Sequence, residues 1–484
     1  MNWKIVFRII GQLVLIEASL MALCLAMSLW HGGSDARAFA ISVATAAAAG
    51  SAMCYLCRKS PREMSRRDSY VVVTLVWVVF SIFGALPYLL SGHLTSVPDA
   101  YFETMSGFST TGASLIDDVE SLPRALLFWR SMTQWIGGLG IVFFTIAIIP
   151  SLVGGSVKVF GAEATGPMRS RLHPKLSTTG RWIWGIYLLL TIACATLFHV
   201  EGMSLFDAVN YAMTVTATGG FATHNASTGY FHSLAIDYTA IAFMLLCGTS
   251  FTLLYIATFK RRPRTLLRNT EFRLYLSLIA LCTAFIMAVL MRSLHVRLEP
   301  AFRVSLFQVV SFITTTGIFN TDAGAWPHIT WVTLLLCMFV GGCSGSTAGG
   351  FKCVRAVMLY QVVRNELRRL LHPNAVLPVK VNSNVVPYAA QATLLAYLML
   401  YLALCFFTYF MMTLSGIDST NSFTIAISCA SNVGPSLSLN IGEPMSWAML
   451  PAALKWLLSL LMLMGRLEIL SVAALFTPYF WRDR

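Results

Sequence analysis

The amino-acid sequence predicts an all-α protein that crosses a lipid bilayer many times. Of its 484 residues, 57% are hydrophobic and only 11% are charged, whereas about a quarter of the residues of a soluble domain are charged. The apolar residues are concentrated in stretches of about 20, the length that a membrane-spanning helix requires. A fourfold internal repeat organises these stretches. The composition excludes an ordinary soluble enzyme, a disordered chain and a disulfide-stabilised scaffold.

Ten apolar segments are long enough to be membrane spans. They cover residues 6–30, 38–57, 69–91, 124–150, 182–199, 236–259, 274–294, 330–361, 388–414 and 446–480. The first segment follows Lys4 and Arg8. It is longer than the apolar core of a signal peptide and lacks a convincing cleavage site, so we interpret it as a span.

The basic residues indicate the orientation of these spans. Much of the net charge of +13 lies in residues 58–67, 158–181, 260–273 and 352–380. With ten spans and a cytoplasmic N-terminus, all four clusters and the C-terminus fall on the cytoplasmic side, as the positive-inside rule requires. The alternative role for these clusters is docking of anionic lipid or a partner. They do not alternate with exposed aromatic residues, so we expect no nucleic-acid binding.

Four of the outer connections contain the repeat. Each has a short, moderately apolar segment, at residues 99–111, 205–218, 302–316 and 419–433, and each segment runs into a small-residue tract with glycine before the next span. We therefore predict two N-terminal helices (residues 1–68), pore repeat 1 (69–150), a cytoplasmic loop (151–181), pore repeat 2 (182–260), pore repeat 3 with a broken last helix (261–372) and pore repeat 4 (373–484). Each repeat is a span, a re-entrant pore helix and a span, placed pseudo-symmetrically around one pore.

The four tracts have the chemistry of a cation filter. Irregular backbone is tolerated within a bilayer only where it is buried in protein or faces water, and each half-helix would direct its partly negative carbonyl end at a common axis. The tracts lack ionised side chains, so peptide carbonyls and hydroxyls remain as ligands, as in potassium filters. Glycine permits the unusual φ/ψ values that this needs. The candidate residues are Thr110, Thr111, Gly112, Thr218, Gly219, Gly220, Thr315, Thr316, Gly317, Asn432, Val433 and Gly434.

Two alternatives remain open within this interpretation. An isolated glycine in a membrane helix is often only a close-packing residue. In addition, Phe102 and Phe307 stand ten residues before their glycines and Phe423 eleven, but Phe206 stands thirteen before Gly219. Spacing therefore does not decide between Gly219 and Gly220.

A second glycine-rich segment interrupts the eighth apolar segment. It lacks the Walker order and a preceding strand, so we interpret it as a flexible loop in a broken helix that lies under the filter and gates it. The alternative is a glycine-rich packing face. The loop residues are Gly341, Gly342, Cys343, Ser344, Gly345, Ser346, Thr347, Ala348, Gly349 and Gly350.

Charged residues inside spans are functional candidates. Arg466 either faces the pore and repels cations, or pairs with Glu468 or with free loop carbonyls. We interpret Glu17 as a polar contact on a packing face, and residues 137–140 (GGLG) as a site of close helix packing. Glu163, in a cytoplasmic loop, is a candidate for docking a partner.

Taken together, these motifs resemble the TrkH branch of the Trk/Ktr/HKT superfamily of potassium transporters. The resemblance rests on the four tracts, the loop GGCSGSTAGG, the segment GRLEI and the segment GAEATGP followed by His173, and it covers essentially the whole chain. It implies uptake of potassium, the transported ion, across a bacterial inner membrane by a multi-pass homodimer with no covalently bound cofactor.

The resemblance also implies residue roles and a partner. The filter glycines would be Gly112, Gly219 or Gly220, Gly317 and Gly434, with Arg466 facing the cavity. In plant relatives a serine at the first glycine goes with sodium preference, so Gly112 favours potassium. TrkH-type proteins work with a cytosolic TrkA-type nucleotide-binding regulatory subunit, which this chain does not contain. The sequence departs from some filters in lacking an aromatic residue after Gly317 and in having Pro435 after Gly434.

Two other classes of function were weighed. A proton- or sodium-coupled secondary transporter usually has two related halves and ionisable residues at mid-membrane, whereas this chain has four repeats and few such carboxylates. A membrane enzyme would need clustered His, Asp or Glu residues, and no such constellation is present in the sequence.

Overall fold

The computed structural model describes residues 1–59, 65–140, 176–382, 384–435 and 447–482, and this part of the chain is mostly helical. One short antiparallel pair, β1 (Lys380–Val381) and β2 (Asn384–Val385), lies on the connection to the last repeat, with Lys380 opposite Val385. Residues 141–150 of segment 124–150, and Glu163 with the GAEATGP segment, lie outside the described residues.

The described residues form twenty α-helices. Their bounds are α1 Trp3–Trp30, α2 Ala36–Leu56, α3 Arg66–Gly84, α4 Leu86–Leu90, α5 Val97–Phe108, α6 Arg124–Gly138, α7 Leu176–Val200, α8 Leu205–Ala217, α9 Leu234–Cys247, α10 Phe251–Thr258, α11 Pro263–Arg268, α12 Thr270–Ser293, α13 Leu298–Ile313, α14 His328–Val340, α15 Cys353–Leu371, α16 Tyr388–Leu414, α17 Ser419–Ser431, α18 Ala452–Arg466, α19 Ile469–Leu475 and α20 Pro478–Trp481.

Six of the described helical segments are long and apolar enough to cross a membrane, or seven if α9 and α10 count as one bent span. The chain is therefore a multi-pass membrane protein, while the count of ten spans stays a prediction.

Two segments that the sequence presented as continuous are broken in the structure. Residues 236–259 divide into α9 and α10, which meet at an angle of 101°. The last segment divides into α18 and α19 at Leu467 and Glu468, where Glu468 has a φ of 70°. At the first break the carbonyl of Gly248 accepts from the N–H of Cys343 (2.9 Å), and the N–H of Phe251 donates to Gly345 (2.9 Å). The backbone groups freed at this break thus form hydrogen bonds with residues about 100 positions away. An apolar sequence pattern cannot predict such a break.

Four short helices occupy the predicted half-span positions: α5, α8, α13 and α17. Asp418 caps α17, accepting from the N–H groups of Thr420 (3.0 Å) and Asn421 (3.3 Å). The cap of α8 is Ser204, which accepts from the N–H of Asp207 (3.1 Å), so Asp207 itself is not the capping residue. Asp99 binds Lys455 (2.7 Å).

Candidate ion-binding site

The four tracts that end the short helices share one backbone conformation. Each begins with a non-glycine residue in the left-handed region, passes through a middle residue and ends in a glycine of positive φ. The left-handed residues are Thr110 (55°), Thr218 (54°), Thr315 (56°) and Asn432 (57°), and the glycines are Gly112 (81°), Gly220 (87°), Gly317 (76°) and Gly434 (97°). Four non-glycine residues in a strained region at equivalent positions mark a site that the surrounding structure fixes.

This pattern aligns the second repeat with the others. Gly220 has the conformation of Gly112, whereas Gly219 stands at the middle position with Thr111, Thr316 and Val433. Spacing from Phe206 could not show this, because Phe206 lies 14 residues before Gly220 and the aromatic is not in register with the other three.

Each helix closes onto its tract through the same hydrogen bond. The middle-residue N–H donates to a carbonyl five residues earlier, as in a Schellman motif: Thr111 to Ser106 (2.9 Å), Gly219 to Thr214 (2.9 Å), Thr316 to Ser311 (2.8 Å) and Val433 to Ser428 (3.0 Å). The four acceptor residues all carry a hydroxyl and stand six residues before the positive-φ glycine. This signal was present in the sequence and would have identified Gly220.

The tracts touch one another in a closed cycle. A Cβ on Gly112 would overlap the carbonyl oxygen of Gly219, and one on Gly220 would overlap that of Thr316. Likewise, a Cβ on Gly317 would overlap the carbonyl of Val433, and one on Gly434 that of Thr111. Each tract therefore contacts the next one along the chain, and the fourth tract contacts the first. The structure brings together all twelve candidate filter residues.

Oxygen atoms without partners are concentrated in this ring. The carbonyl of Gly219 accepts from the Gln134 side chain (2.6 Å), but the carbonyls of the other tract residues accept no hydrogen bond from any described residue. The buried side-chain oxygens Oγ1 of Thr110 and Oδ1 of Asn432 have no partner either in the described part of the chain. Buried backbone carbonyls are nearly always satisfied, so the oxygens of this ring are available to coordinate a ligand.

The glycine-rich segment 341–350 contacts the ring. The N–H of Gly349 donates to Oγ1 of Thr315 (2.6 Å), and the hydroxyl of Thr347 lies 3.2 Å from the carbonyls of Thr216 and Cys247. Positive φ values at Gly341, Gly345 and Gly350 explain three of the five glycines of this segment.

Glu271, an acidic residue within the basic cluster 260–273, anchors this loop. Oε1 of Glu271, in the first turn of α12, accepts from the N–H of Ser344 (2.5 Å) and from that of Val354 in α15 (3.1 Å). Glu271 therefore joins the loop to the start of the helix that follows it.

Arg466 lies against the same loop. Its guanidinium donates to the carbonyls of Thr347 (2.6 Å), Gly137 (2.8 Å) and Gly138 (2.5 Å), and the carboxylate of Glu468 binds Arg355. Of the sequence alternatives for Arg466, a contact with loop carbonyls is present in the structure. Close packing at residues 137–138 is present too, since a Cβ on Gly137 would overlap the carbonyl of Phe108.

A cavity of about 450 Å³ borders the loop. Loop residues 344–346 and 348–350 line it, together with the basic side chains of Lys352, Arg355 and Arg466 and the acidic side chains of Glu271 and Glu468. The loop therefore lies between this cavity and the ring of tracts, which is the position that a gate requires.

Comparison with known proteins places the chain among cation transporters. Residues 35–482 match the family model of TrkH, described as a cation transport protein. The chain is 34% identical over 490 residues to the Trk system potassium uptake protein TrkH of Salmonella typhimurium, covering 100% of both. It is 35% identical over 488 residues to TrkH of Halomonas elongata (100% of both), and 34% identical over 486 residues to TrkG of Escherichia coli (99% of both).

A solved structure is similar over the same length. The crystal structure of the potassium transporter TrkH from Vibrio parahaemolyticus superposes with a TM-score of 0.90 at 33% sequence identity, covering 100% of each chain. The similarity therefore includes the tracts, the loop and the helices that support them.

Proposed function

Because the chain belongs to the TrkH family of cation transport proteins, we propose that it takes up potassium across a bacterial inner membrane, as the membrane-spanning subunit of a Trk-type system. The family resemblance seen in the sequence is confirmed, and membership of a cation transport family agrees with the prediction that the protein is not an enzyme. The relatives named above are potassium uptake proteins, which supports potassium as the transported ion.

The observation that carries the proposal is the ring of buried carbonyls, of which all but that of Gly219 lack a hydrogen-bond donor among the described residues. A partly dehydrated monovalent cation satisfies such oxygens, which replace its hydration shell. The twelve tract residues include no carboxylate, whereas sites for calcium usually contain several. The ring thus suits an alkali-metal ion that must leave as readily as it enters.

We assign roles to residues on this basis. The tract residues from Thr110 to Gly112, Thr218 to Gly220, Thr315 to Gly317 and Asn432 to Gly434 form the selectivity filter. Segment 341–350 is the gate, because it contacts Thr315 of the ring and would have to move for an ion to pass. Arg466 places a positive charge beside the gate and makes cation passage harder.

The same proposal covers topology and partners. Ten spans with four re-entrant pore helices, and both termini in the cytoplasm, place all the basic clusters on the cytoplasmic side. The names of the relatives refer to a Trk system, which supports a separate regulatory component. We propose a TrkA-type nucleotide-binding subunit for that component, acting on a homodimer.

Growth rescue tests this function. Expression in a bacterium without potassium uptake systems should restore growth at low potassium, and more strongly with a TrkA-type subunit. Purified protein in liposomes should pass potassium faster than sodium. Equal fluxes of the two ions would overturn the proposal, and a strict requirement for a proton or sodium gradient would favour the coupled-transporter alternative.

A further inference from the structure

A buried ion pair lies behind the first two tracts. Arg130 of α6 and Glu103 of α5 are 1% and 0% exposed, and two guanidinium nitrogens of Arg130 lie 3.1 and 3.0 Å from Oε1 of Glu103. Glu103 also accepts from the hydroxyl of Ser114 (3.0 Å) and the N–H of Leu115 (2.8 Å), just after the first tract. The pair therefore fixes the exit of the first tract.

Arg130 extends the same network to the second tract. Its Nη1 donates to the carbonyl of Ala222 (3.2 Å), and its guanidinium carbon lies 4.2 Å from the ring centroid of Phe221. Arginine suits this position because its planar fork can serve several acceptors and stack on an aromatic ring at once. One side chain thus joins the exits of two tracts that are distant in sequence.

Gln134 lies one helical turn further along α6 and contacts the second tract directly. Its Nε2 donates to the carbonyl of Gly219 (2.6 Å), and its Oε1 accepts from the N–H of Phe221 (3.0 Å). Residues four apart face the same side of a helix. Since the Gly219 carbonyl is also the atom that abuts Gly112, Gln134 acts on the contact between the first and second tracts.

At the two positions that match Arg130 and Gln134, the other three repeats carry apolar residues. Arg130 is the seventh residue of α6 and Gln134 is the eleventh. The seventh residues of α9, α14 and α18 are Ala240, Leu334 and Leu458, and the eleventh are Met244, Met338 and Met462, all fully buried. Apolar residues are therefore sufficient to fill these two positions. We infer that Arg130 and Gln134 have a role in the first repeat beyond packing.

We propose that Arg130, Glu103 and Gln134 are positioning residues that set selectivity, by keeping the first two tracts at the separation that suits potassium. This inference rests on the proposed filter. Sodium is smaller than potassium, so a ring that can contract accepts it more easily. Removal of one partner from a buried ion pair is strongly destabilising, and the pair therefore resists movement of the tract exits. The hydrogen bond from Gln134 holds back the Gly219 carbonyl and opposes contraction.

Gln134→Met is the decisive variant, because it introduces the residue that the other three repeats carry. We expect the potassium-to-sodium flux ratio of purified protein in liposomes to fall about fivefold, which corresponds to the net loss of about one hydrogen bond. Arg130→Lys keeps the positive charge but removes the planar guanidinium group, and should lower the ratio as well. Met338→Leu, a volume-conserving change at the matching place in the third repeat, should leave it unchanged.

The flux ratio separates positioning from general damage. A folding defect reduces the number of active molecules and lowers both fluxes equally, so the ratio would not move. If Gln134→Met does not give folded protein, Gln134→Asn, which keeps the amide but shortens its reach, is used with the same expectation. An unchanged ratio in the folded Gln134 variant and in Arg130→Lys overturns the inference. If Gly112→Ser changes the ratio in the same assay, the proposed filter still stands, whereas no change there would remove the filter assignment itself.

Discussion

Replacing Gly112 by serine introduces two perturbations, a strained backbone conformation and a steric overlap. The residue has a φ of 81°, and its Cβ would overlap the carbonyl oxygen of Gly219, with the Gly219 carbonyl carbon 3.2 Å away. The left-handed conformation costs an L-residue about 1–2 kcal/mol. The overlap must be relieved by moving backbone, because no flexible side-chain end lies in the way.

The expected result is a loss of ion discrimination. If widening the contact between the first and second tracts reduces relative potassium binding by about 1–2 kcal/mol, the potassium-to-sodium ratio falls about 5- to 30-fold. The assay is uptake of each ion by purified protein in liposomes, with the thermal unfolding midpoint measured on the same preparations.

Two other glycines are matched controls. Gly416 has a φ of 86° but nothing within 4 Å of its Cβ, so Gly416→Ser introduces the backbone strain without the collision. Gly185→Ser introduces neither, since its Cβ position is also open. Both should keep the wild-type ratio, and Gly416→Ser should lower the unfolding midpoint by less than Gly112→Ser does, because it adds the strain without the overlap. A wild-type ratio in folded Gly112→Ser would refute the reasoning.

The remaining predictions concern the gate. Deleting residues 345–347 removes the contacts of the loop with Thr216 and Cys247, and should raise basal potassium flux without a regulatory subunit; no rise would remove the gate assignment. Glu271→Gln weakens the charge-assisted hydrogen bonds to the loop and should also raise basal flux, whereas Glu366→Gln, which removes an exposed pair with Arg369, should not. Arg466→Gln removes a positive charge beside the gate and should raise flux by the order of tenfold; an unchanged or lower flux would show that its contacts with loop carbonyls matter more than its charge.

The sequence determined the membrane class and the sites of the four short helices, because both depend on local pattern. Apolar length reports a span, and α5, α8, α13 and α17 begin and end within a few residues of the predicted bounds. Glycine at a positive φ is likewise a local requirement, so the four tracts could be found without a structure. Their role as a filter stays a prediction until fluxes are measured.

Only the tertiary structure decided which residues act on one another across repeats. The break between α9 and α10 and the partners of Arg466 both depend on backbone contacts between segments far apart in the chain. The same holds for Arg130 and Gln134, whose acceptors in the second tract lie more than 80 residues away. A polar side chain in an apolar run shows that a partner must exist in the bilayer, but the fold alone identifies that partner, because hydrogen bonding is decided by proximity in space and not by order in sequence.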